Sequence, residues 1–423
     1  MMNRSSMRVV LVSLAVAVGA SVTAAPSVLA DSAVVLPKNY FYVNAETRLG
    51  LPTEDKFDSN GHTVALGSDF SRDLNSQVFT ALQPLDAAVG GTANLGTSQV
   101  QVKRSVNQFR PLLAYGATDR LTLGVIIPYV WASNDVNANI DSSTANVGFN
   151  PLAVSPANPL GVIPLAVPLP GTRTATVNDI NSLLGSQFGI KPVQSWSGSG
   201  LGDIEFGGRY QYYRSDYWRL AFTSIAIAPT GKQDDPDNLV DIPLGDGNWA
   251  VRFQLQQDFT VQQDGISKNL GYPTPGSFYV NTKFEYLYNL SDSRTARVCS
   301  PLQPVCNQKG TVTRSAGDIV EAEIQGYLGV LTDGLILTSG YTYTHQYSSS
   351  YSGNDGFDYS VLAINSDHTI HEAFIGLTFT TVPEFVQKKF PLPLFANASY
   401  RNRFAGENVA KSDWVYLTLS VYF

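Results

Sequence analysis

Three groups of side chains in this 423-residue sequence have types and spacings that could do chemistry. His345, His368 and His371 lie near one another, with Ser348, Ser349 and Ser350 beside the first. A hydroxyl nucleophile, a base and an orienting group are the parts of a hydrolase. The stretch APTGKQDDPDNLVDIPLGDG carries Asp234, Asp235, Asp237, Asp241 and Asp246, oxygen ligands dense enough to suggest a calcium site. Cys299 and Cys306, the chain's two cysteines, sit in CSPLQPVC. Each group also has a plainer reading. No recognisable phospholipase motif accompanies the histidines. The aspartates do not follow the order of an EF-hand loop and read as a solvated acidic loop. The cysteines lack further Cys or nearby His, which favours a local disulfide over a metal. No catalytic residue, metal or other cofactor is assigned, and the chain is expected not to be an enzyme.

The elements that must position these residues are strands. In WVYLTLSVYF, residues 414–423, Val415, Leu417, Leu419, Val421 and Phe423 are apolar and the residues between them carry polar atoms. That period of two is the signature of a strand with one oily face. Similar runs fall near 39–49, 101–116, 119–131, 200–214, 217–228, 248–263, 276–289, 317–331, 334–348, 367–380, 393–404 and 412–423. Twelve strands follow, with fourteen as the alternative count. Most are long enough to cross a bilayer at a tilt. The 21 Phe, 21 Tyr, 35 Gly and 23 Pro suit strands and turns. With 43% hydrophobic and 15% charged residues, the chain is neither disordered nor a helical membrane protein. A formal net charge of -7 makes nucleic acid an unsuitable partner.

The connections alternate in length. Short or moderate turns fall at 116–119, 214–217, 264–275, 331–334 and 381–392, and long polar connections at 50–100, 132–199, 229–247, 290–316 and 349–366, with a shorter one at 405–411. Outer-membrane barrels have short periplasmic turns and longer outside loops. Residues 1–30 read as a secretory signal, with Arg4 and Arg8, an apolar run and a small-residue end at Ala30. The expectation is an all-β, transmembrane, antiparallel up-and-down barrel over 31–423 in a Gram-negative outer membrane. Its last strand closes against the first, leaving no free edge.

If Phe423 faces lipid, alternation assigns the lumen face. It receives Asp203, Glu205, Arg209, Arg219, Arg252, Asp258, Lys283, Glu285, Glu321, Glu323, Glu372, Arg401 and Arg403. Neighbouring strands carry opposite charges: Lys283 beside Glu321 and Glu323, Glu372 beside Arg401 and Arg403, Glu205 beside Arg219. Such charges either fill and stiffen the interior as ion pairs or line a watery passage. Within the two longest loops, Phe70, Leu74, Val78 and Leu82 predict one amphipathic helix, and Ile180, Leu183, Leu184 and Phe188 after Asn178 predict another. Either could fold over or into the mouth. The apolar, proline-rich run between 150 and 170 reads as an extended lid or an oily surface.

The terminal Phe423 resembles the assembly signal of outer-membrane barrels, which implies insertion by the assembly machinery into outer-membrane lipid. The segments LPKNYFYVNAE, LLAYGATDRLTLGVIIPY, GSGLGDIEFGGRYQYY, SIAIAPTGKQDDPDN and LGDGNWAVRFQLQQDF resemble a bacterial outer-membrane family associated with the meta-pathway of phenol degradation. Gly200, Leu201, Gly202, Asp203 and Pro229, Thr230, Gly231 match its recurring motifs. The resemblance implies passive uptake of small hydrophobic or aromatic compounds. A closed structural or surface-adhesive barrel and a lipid-modifying enzyme are the alternatives. Only about eight residues separate the expected signal from the first strand, too few for the N-terminal plug of the long-chain fatty-acid transporters. Any gate is therefore expected from the outside loops.

Overall fold

The computed structural model describes residues 32–262, 276–300, 305–330 and 334–423. The expected signal segment at 1–30 and the turn expected at 264–275 lie outside the described residues. Twelve antiparallel strands close into a barrel. They are β1 (Phe41–Gly50), β2 (Asn94–Thr118), β3 (Leu121–Ile126 and Tyr129–Asp141), β4 (Trp196–Leu201 and Ile204–Arg214), β5 (Trp218–Ala228), β6 (Ala250–Gln262), β7 (Phe278–Asn289), β8 (Ile319–Gly329), β9 (Leu335–Gln346), β10 (His368–Thr380), β11 (Leu394–Glu407) and β12 (Trp414–Tyr422). β1 pairs with β2 on one side and with β12 on the other, from Tyr42 opposite Tyr422 to Gly50 opposite Trp414. The count is twelve, not fourteen. β3 breaks at Pro128, which has no N–H to give the ladder, and β4 breaks beside it at Gly202 and Asp203, where the Gly202 N–H still donates to the Pro128 carbonyl at 2.9 Å.

Burial alternates as the pleat requires. On β7, Tyr279, Asn281, Lys283, Glu285 and Leu287 are buried, while Phe284 and Tyr288 are about half exposed. Phe253, Leu255, Ile324, Ile375, Leu377, Phe379, Leu417 and Leu419 also face outward. Rings gather at both rims: Tyr212, Tyr213, Tyr217 and Trp218 at the end with short turns, Trp131, Trp249, Tyr288 and Tyr347 at the end with long loops. Aromatic girdles around an apolar band, on a closed sheet with no edge, are the requirements of a spanning barrel. The chain is built as a membrane-spanning β-barrel.

At the loop end β2 and β3 run on past the barrel, into stretches expected to be loop. Thr97–Phe109 pairs with Tyr129–Asp141. Val100 and Val102 are buried there against Leu66 and Ala410, so the loops supply the cover that lets the strands extend. Above them a cap has its own core of Leu74, Val78, Phe79, Leu82, Leu95, Val147, Val162, Ile180, Leu183, Leu184, Phe188 and Val305. The helix expected after Asn178 spans Val177–Phe188. Thr176 caps it reciprocally with Asp179, and Gly189 at φ +65° ends it. The helix expected from Phe70 to Leu82 is not there. Asp73–Asn75 pairs with β2 instead, and Pro84 lies within the short 3-10 turn Thr80–Leu85. The apolar residues reach the cap core from separate turns. The proline-rich run divides: Val162 is buried in that core, while Leu152 and Val154 are exposed.

Candidate functional site in the barrel lumen

Midway along the bore, alternation turns charged side chains from seven of the twelve strands inward, and they meet as a belt. Arg48 lies 2.6 Å from Glu46, and Arg110 lies 3.7 Å from Glu46 and 2.9 Å from Glu205. Arg252 bridges Glu205 at 2.6 Å and Glu285 at 2.9 Å. Lys283 meets Glu321 at 2.8 Å, and Arg401 approaches Glu323 at 3.6 Å while lying 4.0 Å over the Phe374 ring. Gln254, Thr342 and Thr344 donate to Glu285, Glu323 and Glu321. All these ions are buried. One expected pairing is corrected and a second is narrowed to one of its two partners. Glu205 pairs with Arg110 and Arg252, not Arg219, because Arg219 stands at the turn end opposite Asp258. Glu372 pairs with Arg403 at 2.9 Å, whereas Arg401 turns to Glu323. Glu46, Arg48 and Arg110 were missed. The alternation of Asn44, Glu46 and Arg48 on β1 was the available signal.

Below the belt lies a cavity of about 530 Å³. Its roof includes Arg48, Arg110 and Arg252. Its lower wall mixes apolar side chains, Val34, Val35, Leu36, Pro37, Val382, Phe385 and Phe395, with the polar Asp119, Arg209, Gln211, Arg214 and Arg219. Residues 32–37 form a strap bound inside the barrel, against the expectation that gating would fall to the outside loops alone. Ser32 Oγ donates to Asp258 at 2.8 Å, and the Ala33 N–H lies 3.0 Å from both Asp258 oxygens. Arg209 and Gln211 donate to the Ser32 and Ala33 carbonyls at 2.8 and 2.7 Å, and the Leu36 N–H donates to Thr122 Oγ1 at 2.8 Å. Six residues suffice because their backbone groups find partners on lumen side chains. The short helix Val382–Val386 in the turn between β10 and β11 contributes Val382 and Phe385 to the same chamber.

Above the belt, the acidic loop is not solvated as expected. Asp235 meets Lys191 and Asp237 meets Arg297 and Lys309, each at 2.5 Å. Arg297 also donates to the Cys306 carbonyl at 2.8 Å, tying the loop to the one closed by the Cys299–Cys306 disulfide. No group of three or more metal-ligating side chains forms among the described residues. Burial, followed by the charge of Asp241 and a hydrogen bond to it, pushes the Asp234 carboxyl up to about 7. The folded loop therefore holds this proton more tightly than a released loop would. That contribution is full below the ordinary carboxyl value of 3.8, falls as pH rises and is gone above about 7. Proteolytic nicking of 229–249 should accelerate from about pH 4 to about pH 7, and Asp234→Asn should flatten the slope. An unchanged slope in the variant would refute the assignment.

The histidines do not assemble a triad. His345 Nδ1 is 3.1 Å from Thr369 Oγ1, and His371 Nδ1 is 2.6 Å from the Tyr341 hydroxyl. Ser349 Oγ instead accepts the Gly317 N–H at 3.2 Å. Asp203 stands where β4 breaks and binds loop backbone, a role that alternation did not suggest.

No family model matches the sequence, and no curated protein matches it. Solved structures of similar architecture include an outer membrane channel from Pseudomonas putida F1, at 14% identity over 92% of this chain and 97% of that one, with a TM-score of 0.49. The P. putida toluene transporter TodX aligns at 12% identity over 92% and 90%, TM-score 0.35. The translocator domain of autotransporter NalP from Neisseria meningitidis aligns at 9% identity over 92% and 89%, TM-score 0.34.

Proposed function

We propose that this barrel is a passive outer-membrane channel for small hydrophobic or aromatic compounds. The turn end faces the periplasm and the cap faces outward. The observation that carries the reading is the chamber below the belt, large enough for a monoaromatic molecule and lined in part by a cluster of apolar side chains from the strap and the Val382–Val386 turn. The sequence resemblance to the phenol meta-pathway family agrees with it. In this reading Phe423 is the signal read by the assembly machinery, and the belt ions are the polar girdle that a substrate must pass.

The test is the initial rate at which Gram-negative cells accumulate a radiolabelled monoaromatic such as toluene, with and without the chain in their outer membrane. Expression should raise the rate, and Ile225→Trp, which fills the chamber wall, should return it towards background. A rate equal to that of cells lacking the chain would sink the proposal. One observation favours a second reading, a closed structural barrel: the belt's ions are all buried and paired. That reading requires equal rates in every strain.

A further inference from the structure

The motifs Gly200-Leu201-Gly202-Asp203, Pro229-Thr230-Gly231 and Gly245-Asp246-Gly247 lie far apart in sequence but meet at one point, the interruption of β4. Asp203 Oδ1 accepts the Gly231 N–H at 2.8 Å, and Asp203 Oδ2 accepts the Asp246 N–H at 2.7 Å. One carboxylate therefore holds both ends of the connection between β5 and β6. Thr230 Oγ1 reinforces the junction by donating to the Gly202 carbonyl at 2.7 Å and accepting the Ile204 N–H at 3.0 Å.

The glycines are there because the backbones touch. A Cβ on Gly231 would lie 2.6 Å from the Gly245 Cα, and one on Gly245 would lie 2.5 Å from Asp203 Oδ1. Between its stapled ends the loop enters the bore. Val240, Ile242 and Leu244 are buried, with Ile242 and Leu244 packed against Val106, Val130 and Ala132 on the inner wall. The Val240 carbonyl accepts from Asn134 at 2.7 Å. On one side of Ile242 and Pro243 is a cavity of about 210 Å³ beneath the cap, and on the other one of about 100 Å³ bordered by the belt residues Arg110 and Arg252. The loop is a partition between the outer vestibule and the belt.

We infer that Asp203 is the positioning residue that holds residues 229–249 across the bore, and thereby sets the width of the passage that the proposed uptake function requires. The inference deepens that reading, but its geometry can be tested without any transport. Leu244→Cys places a thiol on the buried face of the loop. A membrane-impermeant maleimide should label it slowly in an otherwise unchanged chain, and at least about tenfold faster when Asp203→Ala removes two charge-assisted hydrogen bonds. Asp203→Asn, which keeps the shape and loses the charge, should fall between. It also serves if the alanine variant does not fold, as judged by heat-modifiable migration. In planar bilayers the same Asp203 variants should pass larger current steps than the unmodified chain. Equal labelling rates in a folded variant would overturn the staple and leave the channel reading standing. Faster labelling with no toluene uptake by any strain would keep the staple and remove the channel.

Discussion

Replacing Lys283 by Met should cost the barrel about 3–5 kcal/mol, because it leaves a buried carboxylate without its cation. Lys283 has no exposed side-chain surface and lies 2.8 Å from Glu321, whose side chain is 4% exposed. Glu285 and Glu323 stand in the same belt, on β7 and β8, so the lost cation also leaves neighbouring negative charge less compensated. Urea unfolding in detergent micelles should show a lower midpoint. Adding Glu321→Gln to the Met variant should restore most of the loss, since the uncompensated charge is then gone. If the single variant were as stable as the parent, the belt would be a wet lining and not a structural girdle. A polar passage with little bulk water is costly to open, so the two readings of the lumen differ most at this residue.

The second large effect is expected at Asp258. Its carboxylate receives Ser32 Oγ and the Ala33 N–H, and Asn281 Nδ2 donates to it at 2.8 Å. Hydrogen bonds to an ionised group contribute roughly 1.5–3 kcal/mol each, so Asp258→Ala should release the strap in a large share of molecules. The chamber would then open to the turn end. The expected readouts are current steps enlarged about twofold or more in planar bilayers and rapid thiol labelling of Val34→Cys. Asp258→Asn retains one acceptor oxygen and should behave closer to the parent. Unaltered labelling at residue 34 would mean that the strap is held by Arg209, Gln211 and Thr122 without help from Asp258.

The architecture was legible because a spanning strand obeys a strict rule. A period of two, repeated beside turns of alternating length, leaves few alternatives, and the apolar positions of β12 carry that rule without exception near mid-span. Partner choice was less legible. Glu205 lies near Arg219 by strand adjacency, but the stagger between strands places Arg110 and Arg252 beside it, and stagger is not written in composition. The cap was harder still. Leu74, Val78 and Leu82 keep helical spacing, yet Asn75 and Asp73 gain more by pairing with the exposed edge of β2, a long-range contact that local periodicity does not register. The strap at 32–37 was missed for a related reason: nothing in SAVVLP announces that its backbone will be answered by side chains from three strands.

The pairing of β1 with β12 joins residues from the two extremes of the chain, Val43 opposite Val421 and Leu49 opposite Val415. Contacts of such long sequence separation form late and slowly. Until the final strand has been made, β1 must wait with one edge unsatisfied, and no shortened version lacking the last strand can seal. Without β12 the sheet keeps two unpaired edges, on β1 and on β11, and is an open, aggregation-prone surface instead of a smaller pore.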